Sequence, residues 1–301
     1  MVSSHDHGRK AHSDVAPGEI AVGVVVGRAS EYFDFFVYGI ASALVFPSVF
    51  FPFADRLTGT LYAFTIFALA FVARPFGTVL FMRIQSRWGQ GVKLTIALFL
   101  LGTATAGIAF LPSFASLGAV AIGLLALLRI LQGIALGGSW DGLPSLLALN
   151  VPKGRRGWYA MLGQLGAPVG FIVAGSVFAF LYASLSEEEL LAWGWRYPFF
   201  VAFAINVVAL FARLRLVVAD EYQHRMGELE LQPVPVAQLL RAKGDNVLIG
   251  AFAALASYAL FHIVTIFPLS WVALYTDQSI SRFLVLQVLG AALACGGGGT
   301  S

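Results

Sequence analysis

Apolar stretches separated by short polar links run from Ile20 almost to the end of the chain. A helix needs roughly 20 predominantly apolar residues to cross a hydrocarbon core. The pattern predicts seven such spans and one cut short: 20–49, 57–82, 92–111, 117–143, 159–182, 197–216, 246–274 and from 281 onward. These runs are too long for soluble core helices, and the links leave no room for an extramembrane domain. The chain therefore reads as an all-α membrane protein.

The polar positions divide it further. Residues 1–17 are expected to be a disordered cytoplasmic N-terminus, 18–216 a six-helix transmembrane bundle, 217–245 a cytoplasmic loop, and 246–294 the start of a second bundle. The apolar pattern stops at Ala294, and 295–301, with the run GGGGTS, reads as a non-native tail after a truncated or frame-disrupted end. No lysine follows its last glycine as a phosphate loop requires, so no ATPase is expected.

Charge gives an orientation. With the N-terminus inside, thirteen of the nineteen basic residues lie on inner segments, and only Arg56, Arg196 and Arg282 lie outside. This is the positive-inside distribution of a multi-pass protein of the inner, or plasma, membrane. The net charge of +3 is spread over short loops rather than gathered in a stripe, so topology explains it and no nucleic-acid partner is implied. Cys295 is the only cysteine, and no Cys/His spacing suits a metal, so neither disulfide, metal nor cofactor is expected. His262 is the only histidine inside a span and reads as a packed polar group.

Composition sharpens the chemistry. Only 12% of residues are charged, against roughly 25% in a soluble protein. The three remaining basic residues, Arg28, Arg74 and Arg129, fall inside apolar spans. An arginine or aspartate at the centre of a span costs about 2.5–3.5 kcal/mol on insertion scales, so each needs a partner or an aqueous cavity.

In the first span Arg28, Glu31, Asp34 and Tyr38 share a sector about 120° wide at 100° per residue. Arg28 pairs with Glu31 at i, i+3, which leaves Asp34 in need of a cation. Arg129 in the fourth span offers one, with Gln132, Leu136 and Ser139 on its side of the helix. The two are expected to face each other across a central cavity, where a neighbouring arginine would govern the carboxylate's proton affinity. Asp34, Arg129 and Glu31 are thus candidates for proton coupling, and Arg28, Tyr38, Arg74, Gln132 and Arg129 for substrate binding. A static network that orients helices, or snorkelling to the interface, explains the same residues. Arg74, beside Pro75 and Gly77, binds an anion, closes an inner gate, or reaches the headgroups.

Small residues add packing signals: Gly133, Gly137 and Gly138 in the fourth span, and the Gly166–Gly170 step in the fifth. Pro168 is expected to bend the fifth span.

Six motifs in order resemble the major facilitator superfamily, and within it the metabolite:proton symporters that include organic-acid, shikimate and osmolyte permeases. They are EYFDFFVYG from Glu31, ARPFG from Ala73, RILQG from Arg129, GGSW from Gly137, RRGWYAMLGQLGAPVG from Arg155 and WGWRYPF from Trp193. The resemblance implies a twelve-helix fold of two six-helix bundles, of which this chain holds the complete N-terminal half, helix 7 and part of helix 8. It also implies a substrate site between the bundles at mid-membrane, a proton-coupling motif at Arg129, and an acidic motif at Glu31 and Asp34.

The loop MRIQSRWGQG keeps the family's Arg87 and Gly89 but not the charges around them. The usual glutamate after RxxQG is replaced by Ser139, with Asp141 two positions on. Arg87, Gly89 and Asp141 are the gating candidates. The function so implied is secondary active transport of a small organic anion with proton symport by alternating access, by a monomer in the bilayer. A zwitterionic osmolyte symporter and a passive facilitator are the alternatives, and a fragment lacking the rest of the second bundle is expected to be inactive.

Overall fold

The computed structural model describes residues 17–139, 158, 161, 163–217 and 236–297, all helix, turn or short link. The long helices are α1 (Pro17–Leu44), α3 (Arg56–Ala109), α5 (Ala119–Gly138), α6 (Gly166–Ser184), α8 (Tyr197–Val217), α9 (Val236–Tyr275) and α10 (Ile280–Gly297). Short helices α2 (Phe46–Phe50), α4 (Phe114–Leu117) and α7 (Glu187–Ala192) lie in the links. Five of the described helices are long and apolar enough to cross a membrane by length and composition. The charges at Arg28, Glu31 and Asp34 keep α1 outside that count, and packing inside the bundle explains how it tolerates them.

The range α3 holds two of the expected spans, as two helices joined at a kink. Its 54 residues turn at Gly89, whose φ of 86° is open to glycine and costly for other residues. A Cβ there would meet nothing, so the backbone angle and not crowding calls for glycine. The first expected span ends early: α1 stops at Leu44 and Pro47 opens the separate α2. Within the expected 217–245 loop a helical stretch begins at Val236, and the backbone breaks at Lys243, close to the expected start of the seventh span. At the other end α10 continues to Gly297, past the expected stop at Ala294. The expected fifth span is interrupted by a turn at 163–165, just before Pro168. This proline lies in the first turn of α6, where the missing N–H would have had no partner anyway.

Helix α1 is central, touching α2, α3, α6, α8 and α9, while α5 lies along α3 and α10 along α6. Glycines set the two closest approaches. A Cβ on Gly133 or Gly137 of α5 would strike the α3 backbone at Ala70 and at Arg74 to Thr78, and one on Gly77 would strike Ile134 in return. Gly166 and Gly170 of α6 lie equally close to Arg28 and Tyr32 of α1. The bundle interior is aromatic, with Phe36, Tyr38, Phe46, Phe50, Trp195 and Phe199 fully or almost fully buried. Large apolar side chains such as Phe99, Phe180 and Phe211 point outward, as a lipid-facing surface requires. Arg196 closes the end of the bundle that carries α2: its guanidinium donates to the carbonyls of Ala192 at 2.6 Å and Leu111 at 3.0 Å and covers the Trp195 ring.

Candidate functional site

Two polar regions adjoin α1. The first is in the bundle core. Asp34 on α1 accepts from the Thr105 hydroxyl at 2.6 Å and from the Gln132 amide nitrogen at 3.3 Å. Gln132 Nε2 also reaches Thr105 Oγ1 at 2.8 Å, and its carbonyl accepts from Arg129 Nη1 at 3.0 Å. Arg129 Nε donates to the Phe67 carbonyl at 3.2 Å. The guanidinium lies 4.0 Å from the centre of the Tyr38 ring and 4.6 Å from that of Phe67. Such desolvated cation–π contacts are worth about 2 kcal/mol, and together with the hydrogen bonds they let a cation sit in an apolar bundle.

This corrects one expectation. Asp34 and Arg129 do come together, but not as a direct pair across a cavity: they are 2% and 1% exposed, and Gln132, fully buried, bridges them. Two contributors went unrecognised in the sequence. Thr105 is a direct partner of the carboxylate. Asn206 on α8 lies beside the same carboxylate and accepts from Ser30 at 2.9 Å. Asparagine is rare within an apolar run, and that rarity was the available signal.

The second region is a small cavity of about 80 Å³ between the bundle and α9. Arg28, Glu31, Tyr32, Phe35, Arg74 and His262 are among the residues that line it. Arg28 and Glu31 form the expected ion pair at 3.0 Å. Arg74 has no side-chain partner among the described residues. His262 is packed among the rings of Phe35, Phe67, Phe71 and Phe261. Of the five expected substrate contacts, Arg28 and Arg74 line this cavity, whereas Tyr38, Gln132 and Arg129 belong to the core network behind it. Glu31, expected to couple protons, is on the cavity wall.

Of the gating candidates, Arg87 is exposed and lies over the Trp88 ring, Gly89 is the turn in α3, and Asp141 lies outside the described residues. A larger cavity of about 470 Å³ occupies the α2 end, between the first bundle and the α9–α10 link. Arg56, Glu187 and Asp277 are its charged lining residues. Between the two cavities α1 and α9 touch: a Cβ on Gly39 would lie 2.8 Å from the Ile266 side chain.

A family model described as sugar (and other) transporter matches residues 20–220. The chain is 35% identical over 266 residues to the inner membrane metabolite transport protein YhjE of Escherichia coli K12, covering 88% of this chain and 60% of that protein. It is 33% identical over 278 residues to the shikimate transporter of the same organism, covering 91% and 63%. It is 32% identical over 205 residues to the proline/betaine transporter of Salmonella typhimurium LT2, covering 68% and 41%. The chain thus spans about 60% of the YhjE length. Among solved structures, a D-xylose-proton symporter superposes with a TM-score of 0.61 at 19% identity, over 91% of this chain and 66% of that one. A partially occluded, inward-open form of the E. coli xylose transporter XylE gives 0.60 at 17%, over 92% and 71%. At these identities the likeness is one of fold.

Proposed function

The chain belongs to the sugar (and other) transporter family, with a major facilitator-type fold, and from that premise we propose that the protein is a secondary active carrier coupling a small organic anion to a proton. The observation that carries the reading is the core network. Asp34 is held by uncharged donors in a site buried from bulk solvent, one glutamine away from a buried cation. Burial favours the neutral carboxylic acid, and an approaching arginine favours the carboxylate. A rearrangement that shifts Gln132 therefore changes whether Asp34 keeps its proton. Thr105 and Gln132 sit on different helices, so a helix movement is translated into protonation.

The cavity beside α1 supplies the place for substrate. Arg74, without a side-chain partner among the described residues, offers its guanidinium to a carboxylate, and the Phe35 and Phe71 rings offer apolar surface to its body. A second reading, a zwitterionic osmolyte, is favoured by the Arg28–Glu31 pair on the same wall, which presents both charges together with aromatic faces suited to a quaternary ammonium. The relatives named for shikimate and for proline and betaine are compatible with either.

The basic residues on the links support a cytoplasmic N-terminus for this inner-membrane carrier. The α2 end, with its 470 Å³ cavity, is then the outer one. Uptake of labelled succinate, shikimate and glycine betaine by the full-length protein, with and without an inward proton gradient, tests the proposal. Gradient-stimulated accumulation of a carboxylate is expected, accumulation of betaine alone selects the second reading, and uptake of any of them indifferent to the gradient removes symport.

A further inference from the structure

The core network leaves several polar atoms without a use. Tyr38 Oη, Ser42 Oγ and Trp195 Nε1 are fully buried and have no hydrogen-bond partner among the described residues. Leaving a buried hydroxyl or indole N–H unmet is costly, and groups of this kind recur where an ordered water supplies the missing bond.

Their arrangement is directional. Asp34, Tyr38 and Ser42 stand at i, i+4 and i+8 on α1, a single stripe that rises about 12 Å and drifts about 40° per step. Long helical side chains lean toward the N-terminus, so Tyr38 inclines toward the turn that carries Asp34. At the other end, Ala43 and Leu44 directly follow Ser42 and line the outer cavity. The Phe46 ring lies 5.2 Å from that of Tyr38 and 5.8 Å from that of Trp195, which brings the third orphan into the same cluster.

We infer that the Asp34–Tyr38–Ser42 stripe holds a short file of ordered water that carries a proton from the outer cavity to Asp34, separate from the substrate's way past Gly39 and Ile266. The route rests on the symport reading of Asp34. A hydronium in the outer cavity gives its proton to the water beside Ser42. The Ser42 hydroxyl oxygen accepts one proton and releases its own to the next water, and Tyr38 repeats the exchange. The last proton binds a free lone pair of an Asp34 carboxylate oxygen. One positive charge leaves the outer solution, one carboxylate becomes neutral, and both hydroxyls are restored. Trp195, a donor only, anchors a water and does not relay.

The charged groups facing the route are Arg129 of α5, against the Tyr38 ring, and Arg56, Glu187 and Asp277 in the outer cavity. Arg129 repels an excess proton resting at Tyr38, so transfer runs through only when ionised Asp34 is there to receive it. The substrate's way is a different one: it needs α1 and α9 to part, while the hydroxyl stripe lies within the first bundle.

The test uses the full-length protein in proteoliposomes and whichever of labelled succinate, shikimate or glycine betaine the wild type accumulates. Ser42→Ala should slow proton-driven uptake roughly fivefold or more, while counterflow of the same probe, which moves no net proton, stays at the wild-type rate. Ser42→Thr, which keeps a hydroxyl, should restore the driven rate. Tyr38→Phe, which keeps the ring under Arg129, should lower it as Ser42→Ala does. Wild-type driven uptake in Ser42→Ala, or an equal loss of driven uptake and counterflow, overturns the route. If Asp34→Asn still shows driven uptake, the symport reading falls and the route with it; if Asp34→Asn loses it while Ser42→Ala does not, the route alone falls.

Discussion

Gln132 holds both ends of the buried charge pair: its amide nitrogen donates to Asp34 at 3.3 Å while its carbonyl accepts from Arg129 at 3.0 Å. An amide is suited to this because it presents a donor and an acceptor on one rigid plane. It separates opposite charges that would otherwise collapse onto each other, and it ties α5 to α1. Replacing it tests the arrangement. Gln132→Leu keeps the bulk but leaves a carboxylate acceptor and a guanidinium donor unmet, at a cost of about 1–3 kcal/mol. A lower thermal midpoint in detergent is expected, with loss of gradient-driven uptake; a variant as stable and active as wild type would mean that the bridge carries no weight.

The contact of α3 with α5 is set by backbone approach. A side chain at Gly77 would drive into the Ile134 backbone, and neither backbone can yield as a side-chain tip would. Gly77→Val should destabilise by about 1–3 kcal/mol or more, read as a lower midpoint and reduced yield in the membrane. Gly123→Val, on the same α5 but with open space around it, should be tolerated.

Gly39 meets the tip of a flexible side chain, Ile266, and the outcome there differs. Gly39→Val should push α9 away from α1 without unfolding the bundle. In a background of Cys295→Ser and Leu269→Cys, a position one turn on along α9 that is 1% exposed and leaves Ile266 in place, the Gly39→Val variant should react faster with a membrane-impermeant thiol reagent added outside. An unchanged rate would show that the α1–α9 contact does not close the path.

Two links outside the spans carry acid-sensitive caps. Hydrogen bonds from Thr58 hold the Asp55 carboxyl below its usual range, and those from the Ser186 backbone and hydroxyl do the same for Glu189. A carboxyl lowered on folding stabilises above its unfolded value, about 3.9 for aspartate, and loses that contribution as pH falls through its lower folded value. Asp55→Ala should therefore lower the thermal midpoint at pH 7, and the gap from wild type should narrow below about pH 4. A gap constant with pH would remove the ionised cap as its cause.

The charged members of the core site were legible because charge stands out in an apolar run, and the Arg28–Glu31 spacing gave their pairing directly. What the pattern could not resolve is how a 120° sector divides among neighbours. Arg28, at one edge, faces α9; Asp34, at the other, faces α3 and α5. A sector read as one polar face is thus split between a cavity wall and a bundle core. Thr105 was missed because hydroxyl groups are common enough in spans to carry little weight alone, and Asn206 because a lone amide in an apolar run, though rare, names no partner. The turn at Gly89 and the stop at Leu44 depend on backbone angles and on Pro47, which hydropathy does not register.

The most direct measurement is gradient-driven accumulation by Asp34→Asn, set beside counterflow of the same probe. An asparagine keeps the size of the carboxylate and can still accept from Thr105, but it can neither take up nor release the coupled proton. The account predicts that driven accumulation is lost while counterflow persists and the protein inserts normally. Wild-type accumulation driven by the proton gradient in this variant would contradict it.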